Sequence, residues 1–438
     1  MSSRFPPWRV ATLPLAASAM LFSLSAGAET LEEAWTLAQR NDPGLAAAQS
    51  DAEAARLSVQ AAKGERWPTL MASGAFTQMQ DAPAFSFGTT ALPFQLPEIF
   101  SHDNFVTAGV SVDVPLYTGG RITSQIAAAE AGGAARSADA ERAQSDLRFA
   151  VAESYVAVQR AERALAIAQS NVDSLTRYVA DVDAMFTREV VPRNDLLSAQ
   201  VARANAEQGR LQAANALEMA KAFYNRRIGL PLDRDFTLSP VVAPAAADIG
   251  SAPVAALERE ALQNRREIAA LDAQGQAFGH AAQAERSRLA PQISLSGGYQ
   301  YLENQALDRD TFAMAGVGLK WALFDGGQVR NRSASLRQTQ RATEHRLVDL
   351  RSMIALEVRQ AWFTLQEARA RTEVARGAVE QAEENLRIAN QQYAAGLVNS
   401  TRVLEAEALR VQSLGNRENA ALDASLAQLR LARTVGRL

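Results

Sequence analysis

Residues 110–120 read VSVDVPLYTGG, and residues 317–327 read VGLKWALFDGG. Both are alternating apolar runs that stop at a double glycine, and the two glycine pairs lie 207 positions apart. In the first run Val110, Val112, Val114 and Leu116 fall on one face, with Ser111, Asp113, Pro115 and Tyr117 on the other. In the second, Val317, Leu319, Trp321 and Leu323 alternate with Gly316, Gly318, Lys320 and Ala322. Period two marks a β-strand with one apolar and one polar face. Each run has an upstream partner, PTLMASGAFTQM from Pro68 and PQISLSGGYQY from Pro291; in the latter Ile293, Leu295, Tyr299 and Tyr301 share a face with Gly297. A strand of about 10 to 12 residues suits a tilted crossing of a bilayer. Four isolated strands also suit a soluble sandwich with one wet face, so the choice rests on what surrounds them.

The 207-residue offset also relates Tyr155 to Trp362, Phe186 to Tyr393 and Leu197 to Leu404, whereas Asn41 and Asn264, like Pro68 and Pro291, are 223 apart. The chain is therefore an internal duplication whose first copy carries extra residues, placed in the proline- and phenylalanine-rich stretch 80–104. The expected organisation is a segment 1–28, a first repeat 29–228 with a β-hairpin at about 68–117 and a helical hairpin at about 121–228, and a proline-rich linker 229–253. A second repeat, 254–438, follows with a β-hairpin at about 291–324 and a helical hairpin at about 328–436. A helix opens each repeat.

After each double glycine the period changes. No proline occurs between Pro115 and Pro192 or after Pro291. Leu347, Leu350, Ile354, Val358, Ala361 and Leu365 begin a seam of three- and four-residue spacings that runs to Tyr393, and it recurs 207 positions earlier from Ala140 to Phe186. Such a repeat predicts a left-handed coiled coil. Uninterrupted from Arg121 to Arg188, it makes a helix of about 100 Å, far longer than a compact domain needs. The pattern restarts beyond Pro192 and beyond Gly396, so each long helix turns sharply and comes back.

Arg4, Arg9, an apolar stretch from Val10 to about Leu24 and Ala26-Gly27-Ala28 form the pattern of a secretory signal. The apolar part is too short for a helical span. The 438 residues carry a formal net charge of −3 and no cysteine, so no disulfide, thiol nucleophile or lipidated cysteine is expected. Nothing points to nucleic acid. The histidines are His102, His280 and His345, widely scattered, and no phosphate loop, serine elbow or metal signature accompanies them. No catalysis, cofactor or metal is expected. Four membrane strands leave an open edge that lipid does not tolerate, so several chains must share one barrel, with Asp113 and Lys320 at equivalent positions lining its lumen.

The signal pattern, the duplicated PLYTGG and ALFDGG junctions and the stretch YAAGLVNSTRVLEAEA at 393–408 together resemble the TolC-like outer-membrane efflux proteins, in their unlipidated branch. The resemblance implies a mainly α fold with membrane β: a homotrimer with a 12-stranded β-barrel in outer-membrane lipid, continued by an α-helical coiled-coil barrel through the periplasm. It implies an exit duct for a tripartite efflux pump or a type I secretion system, working with a periplasmic adaptor protein and an inner-membrane transporter. The helical turns would be the periplasmic entrance. There the family's aspartate–tyrosine link matches Asp195 and Tyr393. An arginine partner falls at Val398, and of two acidic ring positions the second matches Glu405 while the first is Arg402. The expected gate is Asp195, Tyr393, Arg402 and Glu405, and the expected adaptor-docking tips are Glu189, Val190 and Val191 with Gly396, Leu397 and Val398. The alternative is a periplasmic coiled-coil adaptor or structural protein, which would carry one helical hairpin flanked by small β domains.

Overall fold

The computed structural model describes residues 28–80, 104–241, 249–303 and 308–438. The expected signal segment up to residue 27, His102 and most of the loop 80–104 lie outside the described residues. The chain runs α1 (Leu31–Asn41), α2 (Pro43–Gly64), β1 (Thr69–Gln78), β2 (Asn104–Tyr117), α3 (Arg121–Thr187) and α4 (Arg193–Arg227). The order then repeats as α5 (Val254–Asn264), α6 (Arg266–Arg286), β3 (Gln292–Leu302), β4 (Thr311–Lys320), α7 (Gln328–Ala394) and α8 (Ser400–Val435).

Each repeat opens with two helices where the sequence suggests one. Asp42 is the break in the first: it precedes Pro43, takes the extended conformation that the ring forces on it, and its carboxylate accepts from the Leu45 amide at 2.8 Å. The second repeat has no proline there. Arg265 is extended instead, its guanidinium held by Glu267 and Glu357 at 2.6 Å each. Thr30 caps α1 reciprocally with Glu33.

The strands form one antiparallel sheet in the order β1-β2-β3-β4. Leu70 stands opposite Val112, Val114 opposite Leu295, and Leu295 opposite Val317, so the apolar rows of both copies merge into one face. Its large side chains are exposed. β4 stops at Lys320 and not near 324, for a topological reason: β3 begins at Gln292, opposite Lys320, so the backbone beyond has no partner. Its counterpart β2 is a central strand and continues through a bulge between Pro115 and Tyr117.

At both joints the paired glycines have φ between 60° and 83°, left-handed values that cost a side chain strain. Gly120 and Gly327 are the N-caps of α3 and α7. Each of these helices is 67 residues long, about 100 Å at 1.5 Å per residue. The seam read from the sequence is buried or half-buried along almost its whole length; Phe186 is the exception. Core clusters form where α1, α3 and α4 meet, where α5, α7 and α8 meet, and at the helical tips.

The described part of the linker is docked. Glu29 donates its amide to Thr237 O at 2.8 Å and accepts from the Ser239 amide at 2.9 Å. Its buried carboxylate takes the Arg234 guanidinium at 2.7 Å and the Tyr224 hydroxyl. Tyr155 donates to Glu29 O at 2.8 Å. Phe236, Leu238 and Val241 pack on the adjoining core. Burial, together with the neighbouring carboxylate, pushes the Tyr155 and Tyr224 hydroxyls well above the usual tyrosine range.

Candidate functional site at the helical tips

The long helices end in the same motif. At the end of α3, Glu189 N donates to Phe186 O at 2.8 Å and Val190 N to Met185 O at 3.0 Å; at the end of α7, Gly396 N donates to Tyr393 O and Leu397 N to Gln392 O, both at 2.9 Å. This is the paired 5→2 and 6→1 pattern that satisfies the last carbonyls of a helix and puts the residue after the cap in the left-handed region. Gly396 suits that position at φ 69°, but its counterpart Glu189 adopts φ 60°, the sole non-glycine positive φ among the described residues. Val190 (67 %) and Leu397 (75 %) project into solvent. Val191 and Val398 instead pack on the tip core, so only part of each expected docking tip is free.

Below the turns, Leu175, Tyr178, Val179 and Val182 of α3, Leu196 of α4, Tyr393 of α7 and Val403 of α8 share one apolar cluster. At its edge the Tyr393 hydroxyl donates to Asp195 Oδ2 at 3.0 Å, tying one repeat to the other. Burial first, and then the Asp195 carboxylate, push the Tyr393 hydroxyl up to about 12, so it remains a protonated donor at any physiological pH. Tyr393 is 6 % exposed and its counterpart Phe186 is 36 % exposed. The counterpart of Asp195 is Arg402. Phe186 with Arg402 has neither hydroxyl nor carboxylate, so this link exists once per chain.

Arg402 and Glu405 are not brought to the Tyr393–Asp195 pair. They face each other one turn apart on α8 at 3.6 Å, both exposed. Asn399 caps α8 by accepting from the Arg402 amide at 3.3 Å. Asp113 and Lys320 sit at the helical end of the sheet on its polar face, Asp113 opposite Thr69 and Ser296, Lys320 opposite Gln292.

Two features escaped the sequence analysis. The Tyr178 ring lies 5.7 Å from that of Tyr393; burial, reinforced by Tyr393 and Asp195, raises its hydroxyl well above the usual range. Its neighbour Val179 carries the seam spacing, so nothing in the periodicity singles Tyr178 out. Further along, the buried Glu407 binds Arg410 at 2.6 Å and accepts from Ser174 Oγ at 3.1 Å. The three-residue spacing of Glu407 and Arg410 was visible, but the role of Ser174 depends on which helix α8 faces.

The two repeats also correspond to the two stretches, 35–222 and 257–437, that match a family model described as outer membrane efflux protein. The chain belongs to the outer membrane efflux protein family. Over 369 residues it is 24 % identical to outer membrane efflux protein BepC of Brucella suis, covering 82 % of this chain and 75 % of that protein. Among solved structures it shares its fold with the outer-membrane channel OprN, at a TM-score of 0.78 and 20 % identity, covering 93 % of this chain and 90 % of that one. The outer membrane protein VceC of Vibrio cholerae is alike at a TM-score of 0.78 and 17 % identity, covering 93 % and 96 %. This efflux protein is thus an outer-membrane exit duct for efflux, with its helices as the periplasmic tunnel, and its family is one of transport. The adaptor alternative is set aside: this chain has two helical hairpins interleaved with strands. No helix among the described residues is long and apolar enough to cross a membrane.

Proposed function

We propose that three copies close one conduit. The observation that carries this is the sheet: four strands, one continuous exposed apolar face, and unpaired outer edges on β1 and β4. An open edge is not viable in lipid. Eight strands enclose little more than side chains, while twelve leave a lumen. The pairing of β2 with β3, carried over by the two offsets, sets β4 against β1 of the next copy, with Lys320 opposite Ser73 as Asp113 is opposite Ser296. Asp113 and Lys320 then line the lumen.

In this reading residues 1–28 are a signal removed on export, and the helical tips form the periplasmic entrance. The Tyr393–Asp195 link holds each chain's two hairpins together, and threefold repetition makes it a latch, with Arg402 and Glu405 setting the charge around it. The tips at Glu189–Val191 and Gly396–Val398 dock a periplasmic adaptor, which joins the duct to an inner-membrane transporter. The left-handed Glu189 opposite Gly396 makes the two docking sites unequal.

The test is twofold. Protein extracted from outer-membrane fractions is expected to have the mass of three chains, and in planar bilayers D195A/Y393F is expected to conduct more than the parent. A monomeric mass would overturn the conduit. Unchanged conductance in a trimeric double variant would remove the latch and leave the conduit standing.

A further inference from the structure

Phe105 is the second residue of β2 and Phe312 the second residue of β4, at the end of the sheet far from the helices. They are 207 positions apart. Phe105 stands opposite Thr77 of β1 and Phe312 opposite Gln300 of β3, and Thr77 and Gln300 are 223 apart. Both offsets of the duplication agree, so the two rings occupy equivalent places at one height. Each lies eight residues from the polar-face charge of its own strand, Asp113 or Lys320, and the pairing in between runs without a bulge. An even separation keeps side chains on one face of a strand. Phe105 and Phe312 therefore point to the side that Asp113 and Lys320 take, about 27 Å further along. Between the two charges and the end of the sheet they are the only aromatic residues on that face among the described residues.

Below the rings the same face carries Thr107, Gly109 and Ser111 on β2 and Met314, Gly316 and Gly318 on β4. All but Met314 are small, so the wall is recessed there. Twelve strands about 4.8 Å apart and tilted by about 40° make a backbone circle about 24 Å across. Six phenylalanines reaching in from that circle leave an opening of roughly half the width. Past the rings the charge has one sign: residues 79–103 and 303–310 hold six aspartates and glutamates, a single arginine, Arg309, and no lysine. Of these, Glu303, Asp308 and Asp310 are exposed. The Glu303 carboxylate accepts from the Val106 amide at 2.9 Å, directly beside Phe105.

We propose that Phe105 and Phe312 of three chains form an aromatic collar at the outer mouth, the narrowest level of the strand barrel, and that this collar holds lipophilic cations as they leave. The inference rests on the shared-conduit reading and adds to it a contact site and the chemistry of what it takes. An aromatic face attracts a cation, above all a weakly hydrated quaternary one. The acidic rim concentrates cations at the mouth and repels anions. The rim by itself selects charge without regard to apolar surface, and the rings add that second criterion. One chain supplies two rings separated by a strand, so the collar exists only in the assembly.

The test is block of single-channel current in planar bilayers by tetrabutylammonium. The half-blocking concentration is expected to rise about tenfold in F105A/F312A, the scale of a lost cation–ring contact, and to stay within about twofold of the parent in F105Y/F312Y, which keeps the rings. Butanesulfonate, an anion with an apolar tail, is expected to leave the parent current unblocked. F312A alone, which keeps three of the six rings, should fall between parent and double variant and guards against a double variant that does not assemble. The absence of cysteine from the sequence allows the facing of the rings to be read separately: a membrane-impermeant maleimide added to intact cells is expected to label F105C and F312C and to spare V110C and V317C, on the apolar face. If the parent is not blocked, or the alanine variants block at the parent's concentration, the collar is wrong, and a trimeric mass leaves the conduit standing. Equal block by butanesulfonate overturns the preference for cations. A monomeric mass, or labelling of V110C and V317C in place of F105C and F312C, takes the conduit reading down with the collar.

Discussion

At the scale of single residues, the Tyr393–Asp195 link is a donor bound to a charged acceptor, a class of hydrogen bond worth about 1.5–3 kcal/mol. The Tyr393 hydroxyl titrates at about 12 in the folded protein, above the ordinary tyrosine value of about 10. Its contribution is therefore complete below about pH 10 and is lost as pH rises from there toward 12. Conductance in planar bilayers is expected to rise over that window in the parent protein, while Y393F is already high and flat. Glu189 offers a second test. A side chain in the left-handed region costs roughly 1–2 kcal/mol that glycine avoids, so E189G is expected to stabilise the tip by about 1 kcal/mol, read from proteolytic nicking at the turn. Both positions were open to sequence analysis in different ways: Asp195 and Tyr393 through resemblance, Glu189 through its alignment with Gly396. What could not be read was their spatial relation, because Tyr393 and Asp195 are 198 residues apart and periodicity reports a face without naming its neighbour.

At the scale of elements, the double-glycine joint turns a strand into a helix, and its two versions are differently confined. A methyl group on Gly119 would stand 2.3 Å from Ala290 Cβ, whereas Gly326 has nothing within 4 Å in the single chain. G119A is therefore expected to abolish most of the assembled protein in the outer membrane, as measured by heat-resistant bands. In the proposed pairing of β4 with β1 of a second copy, the surroundings of Gly326 would come from the next chain's residues near Trp67. G326A carries the strain of a left-handed φ of 66° within the chain and is expected to fail at assembly as well. The strands, the long helices and the return turns were all legible, because period two, a 3.5-residue seam and an unbroken run without proline are strong local signals. The break at Arg265 was not, since two carboxylates from other positions hold the extended residue there and no proline announces it. The early end of β4 was also hidden, since it depends on where its neighbour begins.

At the scale of the whole molecule, the apolar face of the sheet and the ion-paired helices divide the protein into a greased end and a wet shaft. A lysine placed on the greased face near the bilayer midplane costs about 2–4 kcal/mol. V317K is expected to reduce recovery of assembled protein from the outer membrane severalfold, with a lysine at the polar-face position Gly316 as the milder comparison in the same fractionation. The duplicated architecture was visible in the sequence because both offsets hold across whole elements. The docked state of residues 229–241 was not, because Glu29 and Tyr155, which hold them, lie 205 and 84 positions away from Arg234 and Ser239 along the chain.

The seat of Glu29 has a bearing on where export machinery is able to cut. Ala28 is exposed, and its carbonyl accepts from the Ser239 hydroxyl at 3.0 Å, a contact that a cut after Ala28 gives up. A cut one residue later, after Glu29, would strip the carboxylate from the buried Tyr224 hydroxyl and from the half-buried Arg234 guanidinium, so that a one-residue shift in processing would become a defect of folding.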